Sequence, residues 1–176
     1  MTTLISDNIL KIVEKKNKLE KVLNVKITIR EKEIFFEGSP ENEYLAEKVL
    51  EALDFGFPLS VALLIKTQDF LFEILDIKNY THRKDFETIR ARIIGRGGKT
   101  LKTLNNLTEC NFEIKDNNVG IIGSPELIKN AQDAVILIVQ GSKQANVYSF
   151  LEKHHIKPIL DLGLKEKKKY KKRVKE

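Results

Sequence analysis

Residues 94–104 read Ile-Gly-Arg-Gly-Gly-Lys-Thr-Leu-Lys-Thr-Leu, and their types and spacing suit contact with a polyanion. Glycines at 95, 97 and 98 leave no Cβ between the backbone and an approaching phosphate. Arg96 and Lys99 set positive charge beside that bare backbone. A helix starting after Gly98 would turn its unsatisfied N–H groups toward the same point. The stretch reads as a phosphate-gripping turn.

Two other readings of these residues are weaker. A nucleotide-binding P-loop needs a glycine five positions before Gly98-Lys99-Thr100, and Ile93 stands there. It also needs a strand leading in, whereas Phe86, Ile89, Ile93 and Ile94 fall at helical spacing. A bare helix–turn–helix would use Gly95 to end a helix, but it gives no reason for Gly98 or for the cations around it.

The elements that must hold the loop follow from the apolar pattern on each side. Phe70–Ile77 predicts a strand, then come the helix ending at Ile94, the loop, and a second helix through Leu101 and Leu104. Alternation over Asn111–Lys115 predicts another strand, and Val119–Ile122 a third after the turn-prone Asp116-Asn117-Asn118. Ser124-Pro125-Glu126 then predicts a helix start, with serine as N-cap and proline first. Leu127, Ile128, Ala131, Ala134, Val135 and Ile138 give that helix its buried face. This is the order of a type I KH domain, whose Gly-x-x-Gly loop clamps about four single-stranded nucleotides. The fold class is therefore α+β, with helices on one face of a three-stranded antiparallel sheet.

The chain also repeats itself at an offset of 85 residues. Gly38-Ser39-Pro40 matches Gly123-Ser124-Pro125, and Val25, Ile27 and Ile29 match Cys110, Phe112 and Ile114. Ile34 and Phe36 match Val119 and Ile121, while Ala46 and Leu53 match Ala131 and Ile138. Two tandem KH domains are expected: residues 1–66, 67–160, and a disordered basic tail over 161–176. The first copy lacks the clamp. Its glycine positions fall on Leu10-Lys11-Ile12-Val13 or, with a shorter second helix, on Glu14-Lys15-Lys16-Asn17. Only Thr2–Ser6 is left for its first strand. Copy one reads as a scaffold or protein-docking surface.

Charge follows the same division. Residues 165–176 carry eight Lys/Arg and two Glu, which equals the whole net charge of +6. Residues 1–80 hold 11 basic and 14 acidic groups, but 82–102 hold seven basic and two acidic ones. The positive field of the body is concentrated around the loop. The tail is expected to strengthen RNA binding through counterion release, without sequence preference.

Taken as a whole, the chain resembles the archaeal two-KH-domain proteins related to the eukaryotic pre-rRNA processing factor Partner of NOB. The resemblance rests on the double repeat and on Ala52-Leu53-Asp54-Phe55-Gly56-Phe57 with Ala62-Leu63-Leu64 between the copies. It rests also on Phe70-Leu71-Phe72-Glu73-Ile74-Leu75-Asp76, on Ala91–Thr100, and on Gly141 followed by Val147-Tyr148-x-Phe150-Leu151-Glu152. It implies a factor of small ribosomal subunit assembly that binds single-stranded pre-rRNA near the 3′ end of small-subunit rRNA. The implied partners are a NOB-type endonuclease and a translation initiation factor. Such relatives usually keep Gly-x-x-Gly in the first domain and Gly-Arg-Gly-Phe in the link; both patterns are altered here.

In a KH groove, Gly95, Arg96, Gly97 and Gly98 would clamp the sugar-phosphate backbone. Lys99 and Lys102, at i and i+3, would reach phosphates from one helix face, with Arg92 closer to the groove than Arg90. Ile94, Leu101, Phe112 and Ile114 would form an apolar floor for bases, although Ile94, Leu101 and Phe112 are also spaced as core residues. Base choice would come from the backbone of the second strand.

Enzymatic readings find little to stand on. His82, His154 and His155 have no Cys or His partners at metal-ligand spacing, and no cofactor is implied. The lone Cys110 matches a core valine and lacks a catalytic setting. That single cysteine, the absence of a long apolar run and the start MTTLISDNILK lead to the expectation of a cytoplasmic protein without membrane attachment. Two alternatives stay open. One is a protein-interaction scaffold with residual RNA binding; the other is a KH subunit of an RNA-degradation complex, though such subunits usually carry an additional small β-barrel.

Overall fold

A computed structural model describes residues 2–6 and 9–154. The first half runs β1 (Thr2–Ile5), α1 (Ile9–Leu23), β2 (Lys26–Arg30), β3 (Glu33–Glu37) and α2 (Pro40–Phe55). Two short helices follow, α3 (Leu59–Ala62) and α4 (Leu64–Thr67). The second half runs β4 (Leu71–Asp76), a 3-10 turn, α5 (Phe86–Ile94), a second 3-10 turn over Arg96–Gly98, and α6 (Lys99–Thr108). It is completed by β5 (Asn111–Lys115), β6 (Asn118–Gly123), α7 (Ile128–Val139) and α8 (Gln144–His154). Among the described residues no helix is long and apolar enough to cross a membrane. The tail over 161–176 and His155 lie outside the described residues.

Each half forms a three-stranded antiparallel sheet, in the orders β1-β3-β2 and β4-β6-β5. The repeat is visible in the backbone itself. β2 and β5 lie 85 residues apart, with partners Ile29↔Ile34 and Ile114↔Val119 in the same register. Left-handed residues recur at that offset too, Asn24 with Glu109 and Glu31 with Asp116. Gly38 and Gly123 are glycine for a shared reason of space. A Cβ on Gly38 would stand 2.9 Å from Val25 Cγ1, and one on Gly123 would stand 3.1 Å from Cys110 Cβ.

The halves differ in the segment between their first and second strands. Between Ile5 and Lys26 lie 20 residues; between Asp76 and Asn111 lie 34. Twenty residues hold one helix of 15, and α1 runs unbroken through both candidate glycine positions, Leu10–Val13 and Glu14–Asn17. Ile12, Leu19 and Leu23 of α1 are buried against the first sheet, so its register is fixed by packing. Among the described residues copy one has no helix–loop–helix.

The two helices after the sheets also start differently. Ser39 caps α2: its hydroxyl accepts from Asn42 N–H at 3.4 Å, and Pro40 takes the first helical position. The matching Ser124 does not cap α7 with its side chain, contrary to the expected start at Ser124–Glu126. Its backbone carbonyl instead accepts from both Leu127 and Ile128 N–H, winding a tight turn, and α7 begins at Ile128.

The second sheet has two covered faces. Val119, Ile121 and Phe112 face the core of their own half, while Ile122 belongs to the core of the first half. Gly120, on the same face as Ile122, leaves space for two rings: a Cβ there would stand 2.7 Å from Phe55 and 2.9 Å from Phe57. Phe55, Phe57 and Phe72 pack with ring centroids 5.8–6.0 Å apart. Lys115 on β5 donates to the Asp54 carbonyl (3.0 Å) and carboxylate (3.2 Å), fastening the end of α2 to the second sheet.

Candidate nucleic-acid interface

The loop between α5 and α6 is built from three glycines with positive φ, each for a different reason. Gly95 has φ 75 and ψ 170, a region essentially closed to residues with a side chain. A Cβ there would also stand 2.7 Å from the Cβ and N of Thr100. Gly97 (φ 59, ψ 30) and Gly98 (φ 73, ψ 11) are left-handed, and a Cβ on either would meet nothing within 4 Å. Packing demands the first glycine. The other two face open space, where a ligand backbone can come close.

Turn winding uses some of the loop's donors and spares others. Gly98 N–H donates to the Gly95 carbonyl at 3.1 Å, and Lys99 N–H to that of Arg96. Among the described residues no backbone carbonyl takes up the N–H of Arg96 or Gly97. These two donors sit at the N-terminal, positive end of α6.

Arg96, Lys99 and Lys102 are exposed, and among the described residues none has an acidic partner. Lys99 and Lys102 share a face of α6. Upstream the charge is partly spent. Arg83 and Asp85 form a close ion pair, and the hydrogen bond from Arg83 holds the Asp85 carboxyl below the usual range. Unpaired positive charge remains at the loop, on Arg96, Lys99 and Lys102.

The structure moves Arg92 away from the phosphate role suggested by its position. Its guanidinium donates to the Ile138 carbonyl at 3.1 Å and to that of Ser142 at 2.6 Å. These carbonyls belong to the end of α7 and the turn after it, where a cation complements the helix dipole. Arg92 is a fold pin. Arg90 is likewise engaged, donating to the Asp116 carbonyl at 3.0 Å.

The expected apolar floor separates into buried and open parts. Phe112 is 5% exposed and points into the second core, so it offers no surface for a base. Leu101 and Ile114 are half-buried and pack against that same core. Ile94, at the lip of the loop, is 39% exposed. β5 is an edge strand, so one side of its backbone is unpaired within the sheet. Exposed cations beside a glycine loop and an open strand edge are thus both present, with Ile94, Leu101 and Ile114 as the partly accessible apolar residues.

Two supporting residues escaped sequence reasoning. Thr100 is 4% exposed and presses on Gly95; Gln144 donates to its hydroxyl at 2.8 Å. Gly95 next to a threonine in the helical first turn hints at the first contact. Nothing in the sequence points to Gln144, a polar residue opening a helix 44 positions later. Among the described residues there is no cluster of His, Cys, Asp or Glu able to hold a metal.

Comparison with known proteins agrees with this geometry. Residues 71–156 match the second KH domain of PNO1 proteins, described as a eukaryotic-type KH domain (KH-domain type I). A KH domain-containing protein of Methanocaldococcus jannaschii is 28% identical over 149 residues, covering 81% of this chain and 66% of its own. The pre-rRNA-processing protein pno1 of Aspergillus oryzae is 30% identical over 111 residues, covering 61% of this chain and 43% of its own. The chain thus spans less than two thirds of the length of these curated relatives. Among solved structures, the a/eIF2alpha-aDim2p-rRNA complex from Pyrococcus horikoshii OT3 contains a chain of the same fold. It superposes with TM-score 0.80 at 24% identity, covering 88% of this chain and 93% of that one. A KH domain of the PNO1 type thus occupies residues 71–156, and the chain is similar along most of its length to the PNO1/Dim2 family of KH-domain proteins.

Proposed function

We propose that this chain is a non-catalytic RNA-binding factor of small ribosomal subunit assembly. It grips single-stranded pre-rRNA near the 3′ end of small-subunit rRNA and presents it to a separate, NOB-type endonuclease. The observation that carries the RNA reading is the pair Gly97 and Gly98: left-handed, facing open space, and set between Arg96 and Lys99. The Aspergillus relative's name as a pre-rRNA-processing protein and the rRNA in the Pyrococcus complex support the choice of RNA. The a/eIF2alpha chain in that complex supports a contact with a translation initiation factor.

Within this proposal residues 67–160 are the gripping unit, with Gly95, Arg96, Gly97, Gly98, Lys99 and Lys102 on the backbone and Ile94, Leu101 and Ile114 beside the bases. Residues 1–66 form a degenerate unit without a clamp, and the basic stretch 161–176 adds sequence-independent attraction. Crosslinking in cells with sequencing of the bound RNA tests the reading. Reads should pile up at the 3′ end of small-subunit rRNA; an even spread over cellular RNA would contradict it.

The scaffold reading draws on one specific feature, a depression of about 420 Å³ between α2 and the edge strand β4. Its lining includes Tyr44, Lys48, Phe70, Leu71 and Glu73, and Tyr44 and Leu71 are exposed. Under that reading, RNA binding would be negligible or would survive loss of the clamp glycines.

A further inference from the structure

The two helices that carry the loop are short, nine residues in α5 and ten in α6, and three glycines join them. Helices of that length do not hold themselves in water, and glycine backbone has the most freedom to lose. Something outside the pair must set the angle at which the loop opens. Beyond the burial of Ile89, Ile93 and Leu104 in the second core, the contacts around the α7–α8 turn reach both helix ends.

Gln144, the first residue of α8, donates its side-chain amide to the Thr100 hydroxyl at 2.8 Å and the Arg92 carbonyl at 3.3 Å. Thr100 lies in the first turn of α6 and Arg92 in the last turn of α5. One side chain therefore spans both helix ends that flank the loop. Arg92 returns the link through its guanidinium, which donates to Ile138 and Ser142 carbonyls on either side of Gly141. Thr100 closes the ring by filling the space a side chain on Gly95 would need. Gly95, Thr100, Gln144 and Arg92 make a continuous bracket behind the clamp.

We propose that Gln144, with the Ile138–Gln144 turn, is a positioning residue for the phosphate clamp. It fixes the α5–α6 angle and the left-handed turn at Gly97 and Gly98 before RNA arrives. A loop already ordered spends less of its binding free energy on ordering when the ligand docks. The inference rests on the RNA-clamp reading. It adds a residue that touches no nucleotide but acts through Thr100 and the Arg92 carbonyl.

The test uses the full chain and the variants Gln144→Ala, Gln144→Glu, Thr100→Val and Thr100→Ser. Three readouts are taken: affinity for a short single-stranded RNA at fixed salt, exchange without RNA of the hydrogen-bonded amides of Gly95, Gly98 and Lys99, and the melting temperature. Gln144→Ala and the near-isosteric Gln144→Glu, whose carboxylate cannot donate, should weaken RNA binding about fivefold, the scale of one neutral hydrogen bond. Exchange should quicken at these loop amides while the β5 and β6 amides and the melting temperature hold. Thr100→Val, which leaves the Arg92 carbonyl bond, should weaken binding by no more than Gln144→Ala, Thr100→Ser should keep wild-type affinity, and Gln144→Ala with Thr100→Val should be no weaker than Gln144→Ala alone. Wild-type affinity and loop exchange in Gln144→Ala would overturn the proposal. So would a lowered melting temperature with sheet and loop exchanging together, since Gln144 would then serve the fold alone. If the wild-type chain binds no RNA, the clamp reading fails, and loop exchange in Gln144→Ala still decides whether Gln144 positions the loop.

Discussion

Gly95 lies so close to Thr100 that a Cβ on the glycine would stand 2.7 Å from the threonine Cβ. Its two glycine neighbours in the loop, Gly97 and Gly98, have no such crowding. The three glycines should therefore respond differently to substitution. Gly95→Ala combines a forbidden backbone region with overpacking and should cost about 3 kcal/mol or more of stability. Gly97→Asp and Gly98→Asp occupy left-handed positions that Asp tolerates, at about 1 kcal/mol each. Thermal melting of the three variants checks the ranking.

The cations divide in the same way. Lys99→Ala and Lys102→Ala should each lower the salt slope of RNA binding by about 0.7, the value for one single-strand phosphate contact. Arg92→Ala should leave that slope alone. It should lower the melting temperature instead, because the Ile138 and Ser142 carbonyls lose their donor. Titrations at several salt concentrations, paired with melts, separate the two roles.

The junction between the halves rests on aromatic packing over a glycine. Phe55→Ala should destabilise the chain by about 3–5 kcal/mol, as expected for a buried ring removed from a core. Gly120→Val should also destabilise it, from the opposite cause, because the added methyls meet the Phe55 and Phe57 rings. Denaturant midpoints for both variants test this.

Burial pushes the Cys110 thiol from an ordinary value of 9.0 up to about 11. The folded state therefore keeps its proton where the unfolded chain has lost it. The resulting stabilisation is complete below pH 9 and is lost as pH rises from about 9 to 11. Cys110→Val should fold, since Val25 lies over Gly38 in the same way, and its stability should lack this alkaline component. Melts between pH 8 and 11 compare the two, and alkylation of the native thiol at pH 8 should be slow.

Much of this architecture was legible because it is local. Alternating residues marked β5, glycines and cations between two helical patterns marked the α5–α6 loop, and the offset of 85 marked the duplication. The length of α1 was harder to read, since only the 20-residue spacing between Ile5 and Lys26 shows that a single helix fills the gap. Ser124 looked like Ser39, yet its carbonyl won the competition for the first N–H groups of the turn. The fate of Arg92, the burial of Phe112 and the part played by Gln144 depend on residues tens of positions away. Charge and periodicity place such side chains on a face, but not beside a particular partner.

The central claim is that the Gly95–Gly98 loop is an RNA clamp. Its most direct test is a titration of short single-stranded RNA at fixed salt, comparing the wild-type chain with the Gly97→Asp, Gly98→Asp double variant. Two carboxylates would stand where phosphate must approach, so affinity should fall by about a hundredfold while the fold persists. Equal affinity for the two proteins would contradict the account.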